Sequence, residues 1–184
     1  MPMFDEDIKI AGTRPGGTLD AADLAAQDFL VQKKNGNIDR ARSLGETFAG
    51  CLWGLAQSLI MDNELELTQQ EIHHRLLLCS YGVNRVITQY APNSIVAQTA
   101  LSRFYTEVEE KSNVLHRHVS DTAAFSLYIL GERTGNGSDS DVGKIYAKFI
   151  GRENDAESIR QGGEVYRTFF RTCKGLIDEV PFAV

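Results

Sequence analysis

Apolar residues recur at helical spacing along most of the chain, and the densest run extends from Phe48 to Met61. From Ile38 onward, apolar and small residues lie three and four positions apart, which extends this run into one long helix. Apolar side chains on nearly every face predict that the helix is buried among others. Gly50 and Gly54 lie one turn apart and predict the close approach of another helix. We therefore expect the chain to be organised around this helix.

The third predicted helix has the clearest start. Thr68 and Glu71 have the spacing of a capping box, in which each side chain accepts a hydrogen bond from the backbone N–H of the other residue. An apolar seam follows at intervals of three and four residues and predicts a partner helix. A second apolar side is formed by Leu77, Leu78 and Tyr81, so we expect this helix to contact two neighbours. The seam comprises Ile72, Leu76, Cys79, Val83, Val86, Ile87 and Tyr90.

Caps and stop signals divide the rest of the chain into further helices. The Asn-Gly pair ending at Gly36 predicts the end of the first helix, and Pro92 predicts the end of the third. The apolar face from Ser94 to Val119 fits one helix or two helices separated at Ser112, and both alternatives stay open. The predicted N-caps of the other helices are, in chain order, Thr18, Asn37, Ser120 or Asp121, Asp139 or Ser140, and Asn154.

These elements predict an all-α fold, a single-domain bundle of six to eight helices over residues 18–184. The chain shows no internal repeat of fixed period and no sustained strand alternation. Residues 1–17 contain two prolines and three glycines without a sustained period. We expect them to form a flexible N-terminal arm.

Charge and composition argue against several functional classes. The net charge of −6 and the pI of about 5.2 disfavour binding to nucleic acid or to an anionic membrane surface, because both depend on an excess of Lys and Arg. The densest apolar run is shorter than the roughly 20 residues that a membrane-spanning helix needs. The acidic N-terminus does not resemble a signal peptide, and three scattered cysteines do not form a disulfide framework. We expect a cytoplasmic protein.

No complete catalytic or metal-binding motif is present in the sequence. Glu71 and His74 have the E-x-x-H spacing of di-iron sites, but such a site needs a second copy of the motif, and the capping box already explains the glutamate. We therefore predict neither a metal nor another cofactor. A site that joins His73 or His74 to His116 or His118 is geometrically conceivable, although nothing in the sequence brings these histidines together.

The last predicted helix carries a basic stripe opposite its apolar seam. Such a stripe is usually a solvated face that pairs with carboxylates, and it is also a candidate surface for an acidic partner or a phosphorylated ligand. The stripe consists of Arg160, Arg167, Arg171 and Lys174.

Two functions from different classes fit the sequence. The first is a non-catalytic protein–protein interaction module, with self-association into a homo-oligomer or an unidentified protein partner. This function is indicated by helices with more than one apolar side and by the absence of a recognisable set of catalytic residues in the sequence. The alternative is a small-molecule-binding bundle, with or without catalytic activity, whose pocket lies between helices. Its candidate lining residues, chosen by chemistry alone, are Trp53, His74, Tyr81, Tyr105 and Arg171.

Overall fold

The computed structural model describes residues 21–61, 67–135 and 137–183, which form eight α-helices and no β-strand. The predicted all-α bundle is confirmed, whereas the predicted N-terminal arm lies outside the described residues. Within these residues, no helix combines the length and the hydropathy that a membrane crossing requires. The helices are α1 (Ala21–Lys34), α2 (Asn37–Met61), α3 (Gln69–Tyr90), α4 (Ser94–Lys111), α5 (Asn113–Val119), α6 (Thr122–Thr134), α7 (Asp139–Phe149) and α8 (Ala156–Asp178).

Two caps define where α3 begins and where α4 ends and α5 begins. The predicted capping box is confirmed at α3, where the Glu71 N–H donates to Thr68 Oγ1 over 3.2 Å and the Thr68 N–H donates to Glu71 Oε2 over 2.8 Å. Ser112 both ends α4, through its N–H to the carbonyl of Val108, and caps α5 by accepting from the N–H of Leu115. The region from Ser94 to Val119 is therefore two helices, because one serine satisfies backbone groups on both sides.

Three of the predicted caps are wrong. Asn37 is the first residue of α2, and its side chain accepts from the N–H of Ala183 rather than from a backbone N–H of α2. The other two predicted caps are displaced by one or two residues. Ser138 caps α7 in place of Asp139 or Ser140, and it forms a reciprocal capping box with Asp141. Asp155 caps α8 in place of Asn154, because its carboxylate accepts a hydrogen bond from the backbone N–H of Ser158. In both cases the residue that starts the helix is the one whose side chain reaches the N–H group three positions on.

The core has two parts, and α3 lies between them. One side of α3 belongs to a cluster shared with α2, α4, α5 and α8, and it contributes residues such as Leu76 and Val83. The other side contributes Leu77, Leu78 and Tyr81 to a second cluster shared with α6, α7 and α8. The expectation that α3 contacts neighbours on two sides is confirmed, since 13 of its 22 residues are buried.

The expectation that α2 is buried on nearly every face is wrong, although one side of it belongs to the first core. A close helix contact of α2 lies at Gly45, where an added Cβ would be 2.5 Å from the carbonyl oxygen of Ala100 in α4. At Gly50 and Gly54 an added Cβ would meet no described atom within 4 Å, so this pair does not form the predicted close approach. The end of α2 at Met61 is exposed. Apolar density in α2 therefore exceeds what its neighbours cover.

Two alanine substitutions in α2 test this assignment. We expect Gly45→Ala to lower the free energy of unfolding by about 2 kcal/mol, because the backbone of α4 must move away from the new methyl group. We expect Gly54→Ala to raise it by about 0.5–1 kcal/mol, because alanine is the better helix former and the site is open. Urea unfolding followed by circular dichroism measures both values. Equal effects of the two substitutions would contradict the α2–α4 packing.

Candidate functional site

The structure brings His74 and Tyr81, two of the candidate ligand-lining residues, into one aromatic cluster around the second core. The connection runs through Phe149, which stacks on His74 with ring centroids 4.8 Å apart, and through Tyr128, which stacks on Tyr81 at 5.1 Å. The other three candidates lie outside this cluster. Trp53 packs against the first core on α2, Tyr105 is half-buried on α4, and Arg171 is exposed on α8.

The second core contains four buried tyrosines, and their hydroxyl groups are satisfied unequally. Tyr166 donates to Glu132 Oε1 over 3.2 Å, and Tyr146 accepts from Arg75 Nε over 3.3 Å. The hydroxyls of Tyr81 and Tyr128 have no hydrogen-bond partner among the described residues. Burial raises the pKa of both phenols, and the nearby Glu132 carboxylate adds to this shift at Tyr81. Both groups are therefore neutral at physiological pH.

A polar pocket opens between α3 and α6, above this tyrosine cluster. Its volume is about 360 Å³. Arg85 Nε lies 2.8 Å from Glu132 Oε2, which places an ion pair in the pocket wall. Burial acts against the charge of Arg85, but Glu132 and two neighbouring tyrosines together raise its pKa, so the guanidinium stays charged. The pocket wall thus presents a guanidinium and a carboxylate side by side. Its lining residues are Asn84, Arg85, Thr88, Ile129, Glu132, Arg133 and Gly137.

An apolar groove of about 410 Å³ separates α6 from α7. The side chains of Leu127 and Leu130 are 46% and 54% exposed, so water covers a large part of them. Gly131 lies against the tip of the Ile145 side chain, and a Cβ at this position would overlap it. The glycine thereby lets α7 approach and form the floor of the groove. The lining residues are Leu127, Leu130, Gly131 and Thr134 from α6, and Ile145, Lys148 and Phe149 from α7.

The basic stripe of α8 is largely compensated by carboxylates. Arg160 forms ion pairs of 2.6 Å with both Glu157 and Glu164. Arg167 pairs with Asp139 from α7, and Lys174 pairs with Asp178 and also lies over the ring of Tyr90. Only Arg171 lacks an ion-pair partner among the described residues of the stripe. These geometries are those of a solvated face, and the stripe remains a prediction as an interaction surface.

The structure also brings together histidines from α3 and α5. His73 Nδ1 lies 2.7 Å from His118 Nδ1, and His73 contacts the neighbouring His74 edge-on with centroids 4.7 Å apart. Burial and the proximity of His73 lower the pKa of His74 to about 4, although Asp121 partly opposes the shift. Burial, His73 and Arg117 lower the pKa of His118. The rings of His74 and His118 are therefore neutral at physiological pH.

Comparison of the chain with models of protein families, with curated proteins and with solved structures finds no match. The function must therefore be inferred from the geometry of these three features: the polar pocket, the apolar groove and the histidine pair.

A pair of tyrosine-to-phenylalanine substitutions tests the hydrogen bonding of the second core. We expect Tyr128→Phe to raise the free energy of unfolding by about 1 kcal/mol, because it removes a buried hydroxyl that has no described partner. We expect Tyr166→Phe to lower it by about 1 kcal/mol, because the bond to Glu132 is lost. Urea unfolding measures both. Destabilisation of the Tyr128→Phe variant would show that its hydroxyl has a partner, such as a buried water.

Proposed function

We propose that the protein is a non-catalytic interaction module that self-associates, with α1 of one copy bound in the groove between α6 and α7 of another. The observation that carries this proposal is the groove itself. On α6 its lining residues follow the spacing of one helical face, and on α7 they lie three and four positions apart. Two parallel ridges of this kind, with an apolar floor, accept the apolar face of a third helix.

The exposed apolar residues of the groove need a partner of similar chemistry. Leu127 and Leu130 lie three positions apart on one face of α6, so this face presents two large apolar side chains to water. Contiguous exposure of this kind marks interaction surfaces more often than scattered single residues do. A helical partner covers these side chains without leaving unsatisfied backbone groups in the contact.

The helix α1 has a complementary face. Leu24 and Val31 are 48% and 51% exposed and lie two turns apart on one side of the helix, with Asp28 between them. Ala25 and Phe29, on another side of α1, line a pocket shared with α2 and α4, and both side chains are exposed. The outward face is thus available for a contact with a second copy. A helix of 14 residues is about 21 Å long, which is sufficient to follow the groove.

Charge supports the same pairing. Lys148 lies in the wall of the groove, and Asp28 lies within the exposed apolar face of α1. Neither residue has an ion-pair partner among the described residues. An acidic group that enters the groove close to Lys148 orients the partner helix and raises the association rate more than the affinity. The affinity comes mainly from the buried leucines.

The proposal includes the cellular setting. We infer a cytoplasmic module whose partner is a protein rather than nucleic acid or membrane, and whose function requires no cofactor. The net charge of −6 supports the choice of partner. The thiols of Cys51, Cys79 and Cys173 are free, which suits a reducing compartment.

Sedimentation velocity over a range of protein concentrations tests the proposal. We expect the wild-type chain to form a dimer or a larger oligomer and Leu130→Asp to raise the dissociation constant at least tenfold, because a charge replaces an apolar contact. Val114→Asp is the matched control, since Val114 on α5 is 55% exposed and lies outside the groove. A wild-type chain that stays monomeric at the highest concentration would contradict self-association.

Charge reversal identifies the helix that occupies the groove. We expect Lys148→Glu to weaken association and Asp28→Lys to restore part of it when both changes are present. If Leu130→Asp weakens association while the double reversal restores nothing, the groove is the contact surface but α1 is not its occupant.

The polar pocket between α3 and α6 supports a second candidate function, the binding of a small polar ligand with an acidic group. Arg85 and Arg133 supply cationic donors around the cavity. None of the five predicted ligand-lining residues lines this pocket.

Native mass spectrometry of tag-free protein tests the second candidate. We expect additional mass that is lost on denaturation, and we expect Arg133→Gln to reduce its occupancy at least fivefold because a charge-assisted hydrogen bond is removed. A wild-type chain that carries no additional mass after gentle purification would count against a resident ligand.

A further inference from the structure

The histidine pair between α3 and α5 has the geometry of a small metal site. The Nδ1 atoms of His73 and His118 face each other at 2.7 Å. A tetrahedral zinc ion with bonds of about 2.0–2.1 Å separates two imidazole nitrogens by about 3.3 Å. A displacement of about half an ångström between the two rings therefore admits an ion between the nitrogens. We propose that His73 and His118 bind a divalent transition-metal ion, Zn²⁺, Ni²⁺ or Cu²⁺.

Both ligands are held by well-anchored helices. His73 lies in the second turn of α3, just after the capping box of Thr68 and Glu71. His118 lies on α5, which is fixed to the first core by the buried side chains of Leu115 and Val119. The two rings are thus presented to each other by elements that do not need to fold around the ion. Such preorganisation favours metal binding.

The chemistry of the pair selects the class of ion. Neutral imidazole nitrogens suit zinc, nickel and copper, whereas magnesium and calcium require oxygen ligands. Among the described residues, no group of three or more histidine, cysteine, aspartate and glutamate side chains is placed to hold a metal. The site is therefore a two-ligand site. Both histidines are half-exposed, so water completes the coordination.

The neighbouring groups have opposing effects on a bound cation. Arg117 lies next to His118 on α5, and its positive charge repels a bound cation. Its side chain is exposed, and its Nε donates to the carbonyl of Asn113. Solvent weakens its repulsion. Asp121 lies three residues after His118, where its carboxylate accepts from the N–H groups of Ala123 and Ala124, and its negative charge favours a cation in this region. The ring of His74 stacks flat on Phe149, so we assign it a positioning role beside His73 rather than that of a ligand.

A bound ion would connect helices that lie close to the groove between α6 and α7. It would link α3 to α5, and only Ser120 and Asp121 separate α5 from the start of α6. On the other side, His74 joins His73 to Phe149, which lines the groove. The metal site does not depend on the proposed self-association, and the two are tested separately.

Isothermal titration of zinc chloride into the full-length, chelator-treated protein without a histidine tag tests the site. We expect one zinc ion per chain. We expect His73→Gln and His118→Gln each to lower the affinity at least tenfold, because a single imidazole remains. His116→Gln is the matched control, as it removes a histidine from the same short helix, and we expect its affinity to stay within twofold of wild type.

Two further measurements keep the test decisive. Far-UV circular dichroism shows whether each variant is folded, and zinc should raise the melting temperature of the wild type and of His116→Gln but not of the His73→Gln/His118→Gln double variant. The electron paramagnetic resonance spectrum of the copper complex should show two coupled nitrogens. Wild-type affinity no higher than that of the folded double variant, or an equal loss in His116→Gln, would overturn the proposal.

Discussion

The burial of α3 on both sides is the constraint on which the rest of the structure depends. Leu76 and Leu77 are neighbours in sequence but belong to different cores, so the helices on either side of α3 pack against the same backbone. The capping box fixes where α3 begins and thereby fixes the register of His73, Tyr81 and Arg85. The histidine pair, the tyrosine cluster and the polar pocket each include residues of α3, so their relative positions are fixed by this one helix. Each large apolar side chain buried there contributes about 1.5–3 kcal/mol.

Local signals made much of the helical framework predictable. They did not identify α3 as the helix that lies between the two parts of the core. Thr68 carries its own signal for a helix start, because its capping partner lies three residues away. Apolar density, however, shows only that a face can be buried and not which neighbour covers it. For this reason the sequence indicated a close approach at Gly50 and Gly54, while the α2–α4 packing places it at Gly45. Glycine spacing is a local property, and the approach of another backbone is not.

The candidate sites depend even more on tertiary placement. His73 and His118 meet only because α5 is a separate helix, and this followed from the two-sided cap at Ser112, which the sequence left undecided. Asn37 is the first residue of α2 rather than its predicted N-cap, and its side chain bonds to the backbone of Ala183 near the other end of the chain. The leucines of the groove are exposed because α7 covers only one side of α6, and no periodicity within α6 reveals where α7 lies.

The self-association of the module through α6 and α1 is the central claim of this account. Hydrogen exchange measured by mass spectrometry at low and high protein concentration tests it most directly, because it reports the covered helices without any substitution. The account predicts slower exchange at high concentration in Thr122–Thr134 of α6 and in Ala21–Lys34 of α1, with α4 unchanged. Exchange in α6 that is independent of concentration would contradict it.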